Sequence, residues 1–542
     1  MPEQDPVLAG EASAGRPSAA LRAPAVAPTV ESPWIVAISV MLATFMEVLD
    51  TAIASVALPY IAGSLSASNE EATWILTSYL VANAIVLPAS NWFSMRIGRK
   101  RFFLICIAIF TASSFACGAA PTLGFILVAR VLQGAGGGAL QPLSQSILLE
   151  SFPPEKRGVA MALFGFGVVC APVLGPTLGG WLTDAYSWRY AFYINIPVGI
   201  LAILMIGRFV HDPPHMRGAK SFNFDSIGLS TLVVWTGCLQ IILDKGQEDD
   251  WFGATWIRWA ALLLVVSFVW FIWHSWRSQH PLVDLRVLKN WNFAVGCVLI
   301  LIFGISIYST ITVLPLFYQE LLGYTAFTAG IVVAPRGIGS IVAMPVIAFL
   351  SERIDARYLL TFGFILFAVT TLYMGSVTTE ISPWTLLVPI LITGFGVGFI
   401  FVPISTQAYG TLPREQFGAA SGLYNLMRNI GGSIGISLAA TLLARRGSAH
   451  QSEMTNYMAR SGMPFQSALQ TQMNALATQF GSAHARYPAE VQLYHQLLYQ
   501  ATDWAFVDVF RWLALLCLSG AGIVWLFKRV QKGRPPASAG AH

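Results

Sequence analysis

Fourteen stretches of about 20 mostly apolar residues, spread between residues 34 and 527, decide more about this chain than any other feature. They fall at 34–58, 72–92, 102–120, 123–148, 158–183, 189–208, 226–244, 256–276, 292–315, 326–350, 358–377, 384–409, 418–443 and 504–527. At 1.5 Å per residue, each can carry a helix across roughly 30 Å of hydrocarbon. Lipid has to be the solvent, because 55% of the 542 residues are hydrophobic and only 11% are charged. A soluble domain carries about 25% charged residues, and one this long would lack the polar surface to cover itself. Hydrocarbon offers backbone groups no hydrogen bonds, so the segments that cross it are helices. The chain therefore reads as an all-α integral membrane protein.

An even number of spans returns both termini to one side. With the N-terminus in the cytoplasm, the short loops there hold Arg96, Arg99, Lys100, Arg101, Lys156, Arg157, Arg353 and Arg357, among others. The opposite short loops hold little beyond Arg189, Lys245 and Arg258. The positive-inside rule then expects both ends to be cytoplasmic. Residues 1–32 are rich in Ala, Pro, Ser and Gly and lack the apolar core of a signal peptide. They read as a disordered tail, with 531–542 as a second one. Between the last two spans, residues 444–503 read as a long outward loop. Within it Phe465, Leu469, Met473, Leu476 and Phe480 recur at helical spacing. That face suits either a cap on the outer mouth or a docking surface for a partner protein.

Several function classes find no support. The net charge is only +5, with no dense Lys/Arg block and interleaved aromatics, so no nucleic-acid partner is expected. Cys106, Cys117, Cys170, Cys238, Cys297 and Cys517 all lie in apolar runs without a CxxC pair, and read as packing residues, not metal ligands or disulfides. No GxxxxGK[ST] loop is present, so ATP is not the direct energy source. No HExxH or GxSxG stands in a catalytic context, and neither enzyme activity nor a cofactor is expected.

The chain repeats itself. FSMRIGRKRFF (93–103) resembles LSERIDARYLL (350–360), with Arg96 and Arg353 257 residues apart. PLSQ (142–145) resembles PISTQ (403–407), with Pro142 and Pro403 261 apart. PPEKRGVAMAL (153–163) resembles LPREQFGAASGL (412–423), with Gly158 and Gly418 260 apart. A six-helix unit therefore occurs twice, at 33–210 and 291–530, with two further helices inserted at 211–290. Repeated halves around a midplane site are the architecture of alternating-access transporters.

Charges inside spans are costly and point to function. Glu47 and Asp50, three residues apart, share one face of the first helix, and a buried carboxyl group can take up and release a proton as its surroundings change. Arg130, in LVARVLQGAGGGAL (127–140), needs acceptors and could pair with either carboxylate, as a fixed ion pair or in one conformation only. Arg336 and Arg428 are interior charges suited to an anionic substrate or a carboxylate. Tyr79, Asn83, Gln133, Gln145 and Gln407 are polar groups placed to line a substrate cavity. No strand precedes Gly134, Gly136, Gly137 and Gly138, so they read as close helix packing, not a dinucleotide loop. Ala171, Gly175 and Gly179 form a second packing stripe, with Pro172 and Pro176 permitting a bend. In the loop 91–101, Gly98 permits a tight turn, while Arg96, Arg99, Lys100 and Arg101 can cap helices or pair with acids on a neighbouring helix and hold one conformation closed.

These motifs together resemble the major facilitator superfamily, and within it the fourteen-helix drug:proton antiporters of the EmrB/QacA family. LDTAIASVALP (49–59) is similar to that family's first-helix motif, VARVLQG (128–134) to its helix-4 motif and GPTLGGW (175–181) to its helix-5 antiporter motif. ATFMEVLD (43–50), PLSQSILL (142–149), INIPVGI (194–200) and DKGQEDDWF (244–252) resemble its EmrB branch. The resemblance covers about residues 34–530. It implies a major-facilitator fold with 14 transmembrane helices, built as two pseudo-repeated six-helix bundles plus two inserted helices. It also implies proton-driven export of hydrophobic small molecules across a bacterial inner membrane, with Arg130 in the proton-coupling role beside Asp50 and Glu47. The implied partners, besides the lipid bilayer and protons, are an EmrA-like periplasmic membrane-fusion protein and an outer-membrane channel. An endogenous cargo such as a fatty acid or siderophore is the alternative. Two departures stand out. Asn91 and Met95 occupy places where the loop motif has Gly and an acid, so the loop's acidic partner is missing from the first half, while Glu352 holds the corresponding place in the second. Glu47 stands where relatives carry a neutral amide, and is expected to alter proton stoichiometry or cation preference.

Overall fold

The computed structural model describes residues 32–153, 156–212, 225–324, 326–351, 353–376, 383–457, 463–480 and 484–529. The two tails, Glu352 and part of the third repeat match (154–155) lie outside the described residues. The described residues form helices and no strand. The first half contains α1 (Pro33–Ser64), α2 (Asn69–Ile97), α3 (Arg99–Gly118), α4 (Leu123–Gly137), α5 (Leu140–Ser151), α6 (Arg157–Ala185), α7 (Tyr190–Tyr193) and α8 (Asn195–Phe209). Then come α9 (Ser226–Lys245) and α10 (Thr255–Arg277). The second half contains α11 (Trp291–Glu320), α12 (Ala326–Val333), α13 (Pro335–Leu350), α14 (Ala356–Met374), α15 (Pro383–Gly410), α16 (Phe417–Tyr457), α17 (Met463–Phe480) and α18 (Arg486–Ile523). Among the described residues, 14 segments are long and apolar enough to cross a membrane. The pairs α4–α5, α7–α8 and α12–α13 each make one interrupted span.

Glycines set the tightest contacts. A Cβ on Gly134 would lie 2.3 Å from the Tyr79 carbonyl oxygen, and one on Gly138 2.5 Å from that of Asn83, so α4 rests directly on the backbone of α2. The glycine run that allows this approach also ends α4 at Gly137, because glycine is a poor helix former. On α6, a Cβ at Gly175 would meet the Ala52 Cβ at 2.3 Å and one at Gly179 would meet the Ile53 Cα at 3.2 Å. The stripe of small residues thus seats α6 against α1. The main apolar core runs through both halves, with a smaller cluster confined to each, and α9 is pinned between the halves. Thr77 on α2 bonds Asp244, Lys245 Nζ reaches Thr73 at 2.9 Å, and Ser433 on α16 donates to Gln240 at 2.8 Å. The outer helix α10 shows lipid a broad apolar face that includes Trp259, Val266 and Val269.

The segment 444–503 is not the loop its polarity suggests. Helix α16 runs for 41 residues to Tyr457, and α18 for 38 residues from Arg486. At 1.5 Å per residue each reaches about 60 Å, twice the hydrocarbon thickness, so both project beyond the membrane. Apolar content ends near residue 443, but Arg, Ala, Gln and Glu continue a helix readily in water. Between them lies α17, whose Leu469 is buried with Ala489 and Leu493 of α18, with Phe465, Met473 and Leu476 packed alongside. The apolar face of the amphipathic helix is thus turned onto the chain's own α18. Phe480's side chain lies outside the described ones.

Candidate functional site: a cavity between the halves

The halves are closed together at the end that carries the α2–α3 turn. There Gln145 on α5 accepts from Tyr409 Oη at 3.2 Å and from Asn425 Nδ2 at 2.6 Å. Phe164 stacks on Phe401 at 6.1 Å between ring centres, and Gly418 sits against Asn91. Towards the opposite end the halves separate around a cavity of about 500 Å³ whose rim includes Pro59, Tyr60, Asp184 and Gln319. An adjoining cavity of about 310 Å³ shares Ala52, Ser55, Pro172, Tyr308, Ile311 and Thr312 with it. Most of these walls are apolar, as a hydrophobic ligand requires.

At the inner end, Glu47 Oε1 accepts from Tyr79 Oη at 3.1 Å and from Asn83 Nδ2 at 3.0 Å. Its Oε2 accepts from Gln141 Nε2 at 2.5 Å. The other end of that amide, Gln141 Oε1, accepts from Arg428 Nη2. A polar chain therefore crosses from Glu47 and Gln141 in the first half to Arg428 in the second.

Asp50, one turn along α1, belongs to a different network. Its Oδ2 accepts from Arg130 Nη1 at 2.6 Å, and its Oδ1 from Gln133 Nε2 at 2.8 Å and Asn195 Nδ2 at 2.6 Å. Arg130 also donates to Gln133 Oε1 at 2.9 Å and through Nε to the Ile75 carbonyl at 3.0 Å. Its guanidinium lies 4.3 Å from the Tyr79 ring centre. Ser114 Oγ, which accepts from both amides, donates to the Phe192 carbonyl at 2.9 Å. Every partner of this carboxylate lies in the first half. Of the two acceptors open to Arg130, the structure selects Asp50.

Tyr79 and Asn83 line the smaller cavity and Arg336 the larger. Three expected cavity residues do not. Gln133 is fully buried on Asp50, because two charges out of water need every available hydrogen bond. Gln145 is fully buried in the seal between the halves. Gln407, half-buried on α15, lines neither cavity. Gln141, Asn195, Tyr409 and Asn425 were not singled out by the sequence. Their only signal was a polar group inside an apolar span. Pro172 lines both cavities and Pro176 the larger.

At the closed end, Gly98 has φ +93°, a conformation that favours glycine. It turns the chain so that Arg99 Nη1 and Nη2 reach Glu150 at 2.8 and 2.6 Å, with Ser146 at 3.0 Å. The Lys100 backbone N–H donates to Asp212 at 2.8 Å. Arg96 is exposed, its guanidinium 5.8 Å from the Trp92 ring centre. The acid missing from the turn itself is thus replaced by Glu150 on α5 and Asp212 beyond α8.

Two helical bundles closed together at one end around an inter-half cavity, with carboxylates buried beside it, define a secondary transporter. Residues 40–436 match the Major Facilitator Superfamily, and the chain belongs to that family. It is 37% identical over 512 residues to the multidrug export protein EmrB of Escherichia coli strain K12, covering 93% of this chain and 96% of that one. It is 37% identical over 426 residues to the fatty acid resistance protein FarB of Neisseria gonorrhoeae, covering 78% and 83%. Against the colistin resistance protein EmrB of Acinetobacter baumannii the identity is 30% over 503 residues, covering 92% and 97%. Among solved structures, the human organic anion transporter MFSD10 (TETRAN) shares the fold, with a TM-score of 0.58 and 14% identity over 90% of this chain and 100% of that one.

Proposed function

We propose that this protein is a proton-driven antiporter that exports hydrophobic compounds across a bacterial inner membrane, with both termini in the cytoplasm. The observation that carries the reading is an apolar inter-half cavity with Glu47 in its wall and the buried Asp50–Arg130 pair one turn away. In this topology the cavity faces the periplasm and the Gly98 turn seals the cytoplasmic end. A proton arriving through the cavity neutralises Glu47 and weakens its grip on Gln141, and so the Gln141–Arg428 tie between the halves. A proton on Asp50 frees Arg130 for other acceptors. Either step favours rearrangement of one half against the other, and release of the protons inside resets the cycle. Relatives named for multidrug export and colistin resistance support this cargo class, and FarB, named for fatty acid resistance, supports an endogenous compound such as a fatty acid as the alternative.

The projecting α16 and α18, with α17 between them, are the surface on which an EmrA-like membrane-fusion protein and, through it, an outer-membrane channel would assemble. The test is substrate-induced proton movement in proteoliposomes, with wild type beside Asp50→Asn and with sodium absent. Exchange by the wild type and none by the variant supports the reading. Exchange that requires sodium, or that survives in the variant, overturns the proposed coupling.

A further inference from the structure

The second half holds a charge with no counter-charge among the described residues. Arg336 is 2% exposed. Its one hydrogen bond among the described residues is a long one, from Nη2 to Thr310 Oγ1 at 3.4 Å. Nε and Nη1 have no partner among the described residues. The Phe367 ring centre lies 5.8 Å from the guanidinium carbon. A small void beside it is lined by residues such as Thr310, Leu314, Thr393 and Phe510, with no carboxylate among them. On its other side Arg336 lines the large cavity between the halves.

The internal repeat shows what is missing. The offset of 257 that relates Arg96 to Arg353 also relates Pro88 to Pro345 and Tyr79 to Arg336. Packing agrees: a Cβ on Gly134 would strike the Tyr79 carbonyl oxygen, and one on Gly394 that of Arg336. The offset of 260 between those glycines places Ile390 where the first half has Arg130. The offset of 256 between Pro59 and Pro315 places Ser306 where it has Asp50. The second half therefore has an arginine in this region on a different helix and, among the described residues, no carboxylate opposite it.

The other interior arginines also leave N–H groups without a hydrogen-bond partner among the described residues, at Arg130 Nη2 and at Arg428 Nε and Nη1, but each has a carboxylate within reach. Arg130 holds Asp50. Glu47 lies within electrostatic reach of Arg428 and is joined to it through Gln141. At the rim, Asp184 accepts from Tyr60. A guanidinium out of water requires an anion, and the open approach to Arg336 is from the cavity. Because its span is broken between α12 and α13, Arg336 also stands in the first turn of α13, where the helix dipole favours negative charge.

We propose that Arg336 anchors the ionised head of a hydrophobic organic acid, taken as the carboxylate, while the acid's tail lies along the apolar wall near Phe303, Ile307 and Phe401. One planar guanidinium with unfilled N–H groups matches one carboxylate. The proposal rests on the transport reading above and names the cargo that this site selects.

The test is binding to the full-length protein in nanodiscs at pH 7.4, using radiolabelled decanoate, decanol and decyltrimethylammonium. Wild type is expected to bind decanoate at least ten-fold more tightly than decanol. Arg336→Gln should bring the two within about two-fold without weakening decyltrimethylammonium binding, and Arg336→Lys should keep part of the preference. Equal wild-type affinity for decanoate and decanol overturns the proposal, as does a full preference retained in Arg336→Gln. If Arg336→Gln does not fold, Arg336→Lys decides: it keeps the charge but not the planar fork, so a decanoate preference reduced below that of wild type is expected, and a preference equal to that of wild type overturns the proposal. A protein that binds decanoate through Arg336 yet exchanges no protons for cargo removes the antiport reading alone. Exchange without carboxylate preference removes this site alone.

Discussion

Arg130 Nη1 lies 2.6 Å from Asp50 Oδ2, and neither side chain reaches solvent. Two charges so deeply buried pay for each other only while both are present. Removing one leaves the other stranded at a cost of about 3–5 kcal/mol. Asp50→Asn is therefore expected to abolish substrate-driven proton movement and also to lower the thermal midpoint of the purified protein. The double variant Asp50→Asn/Arg130→Gln should recover much of the midpoint and none of the transport. Thermal unfolding of the four proteins gives the coupling directly. Additive losses would mean that the pair is not a unit.

Glu47 makes a different prediction because its partners lead out of its own half. Glu47→Gln preserves the size of the side chain, and its amide oxygen can still accept from Tyr79 and Asn83, so that only the bond from Gln141, whose NH2 would meet the new NH2, is lost. Stability should change by less than about 1.5 kcal/mol, the worth of an ordinary hydrogen bond. Transport should change more. The pH dependence of exchange is expected to lose one titrating group, and the number of protons moved per substrate to fall. Superimposable pH profiles and substrate ranges for the two proteins would remove Glu47 from the coupling.

These two carboxylates illustrate what a sequence can and cannot disclose. Spans were readable because lipid demands about 20 apolar residues whatever the fold, and Asp50, Glu47 and Arg130 because charge in such a span needs a reason. That Asp50 turns to Arg130 while Glu47 turns to Gln141 was not readable, since three residues of helix leave both near one face and only tertiary packing separates them. Arg99 likewise declared a need for an acid but not that Glu150, 51 residues away, meets it. The continuation of α16 past residue 443 escaped because hydropathy registers where lipid ends, not where a helix does. Gln133, Gln145 and Gln407 were expected at the cavity on polarity alone, which cannot separate a wall from a seal.

The contact between α1 and α6 offers a test of packing that leaves charge aside. A Cβ on Gly175 would lie 2.3 Å from the Cβ of Ala52 and 3.2 Å from its backbone. Gly175→Ala should therefore force the helices apart and destabilise by about 1–3 kcal/mol, visible as a lower thermal midpoint. Moving the methyl group across the interface, in Gly175→Ala/Ala52→Gly, removes the worst overlap and should restore most of the loss. No recovery in the pair would place the strain elsewhere than at Ala52.

The closed end gives the most direct test of alternating access. A Cβ built on Gly418 of α16 would lie 3.8 Å from the Cβ of Asn91 on α2, close to the mean of about 3.8 Å found in disulfides. Asn91→Cys/Gly418→Cys, made with the six native cysteines replaced, should cross-link readily on oxidation and hold the two halves together at the Gly98 end. Exchange in proteoliposomes is expected to fall to background when oxidised and to return on reduction, while each single variant ignores the oxidant. Because the disulfide touches neither Asp50 nor Glu47, its effect would isolate movement at the seal from proton chemistry. Full-rate exchange by the cross-linked protein would mean that this end stays shut throughout the cycle, and the route for cargo would have to run through the bilayer-facing side of the cavity beside α9.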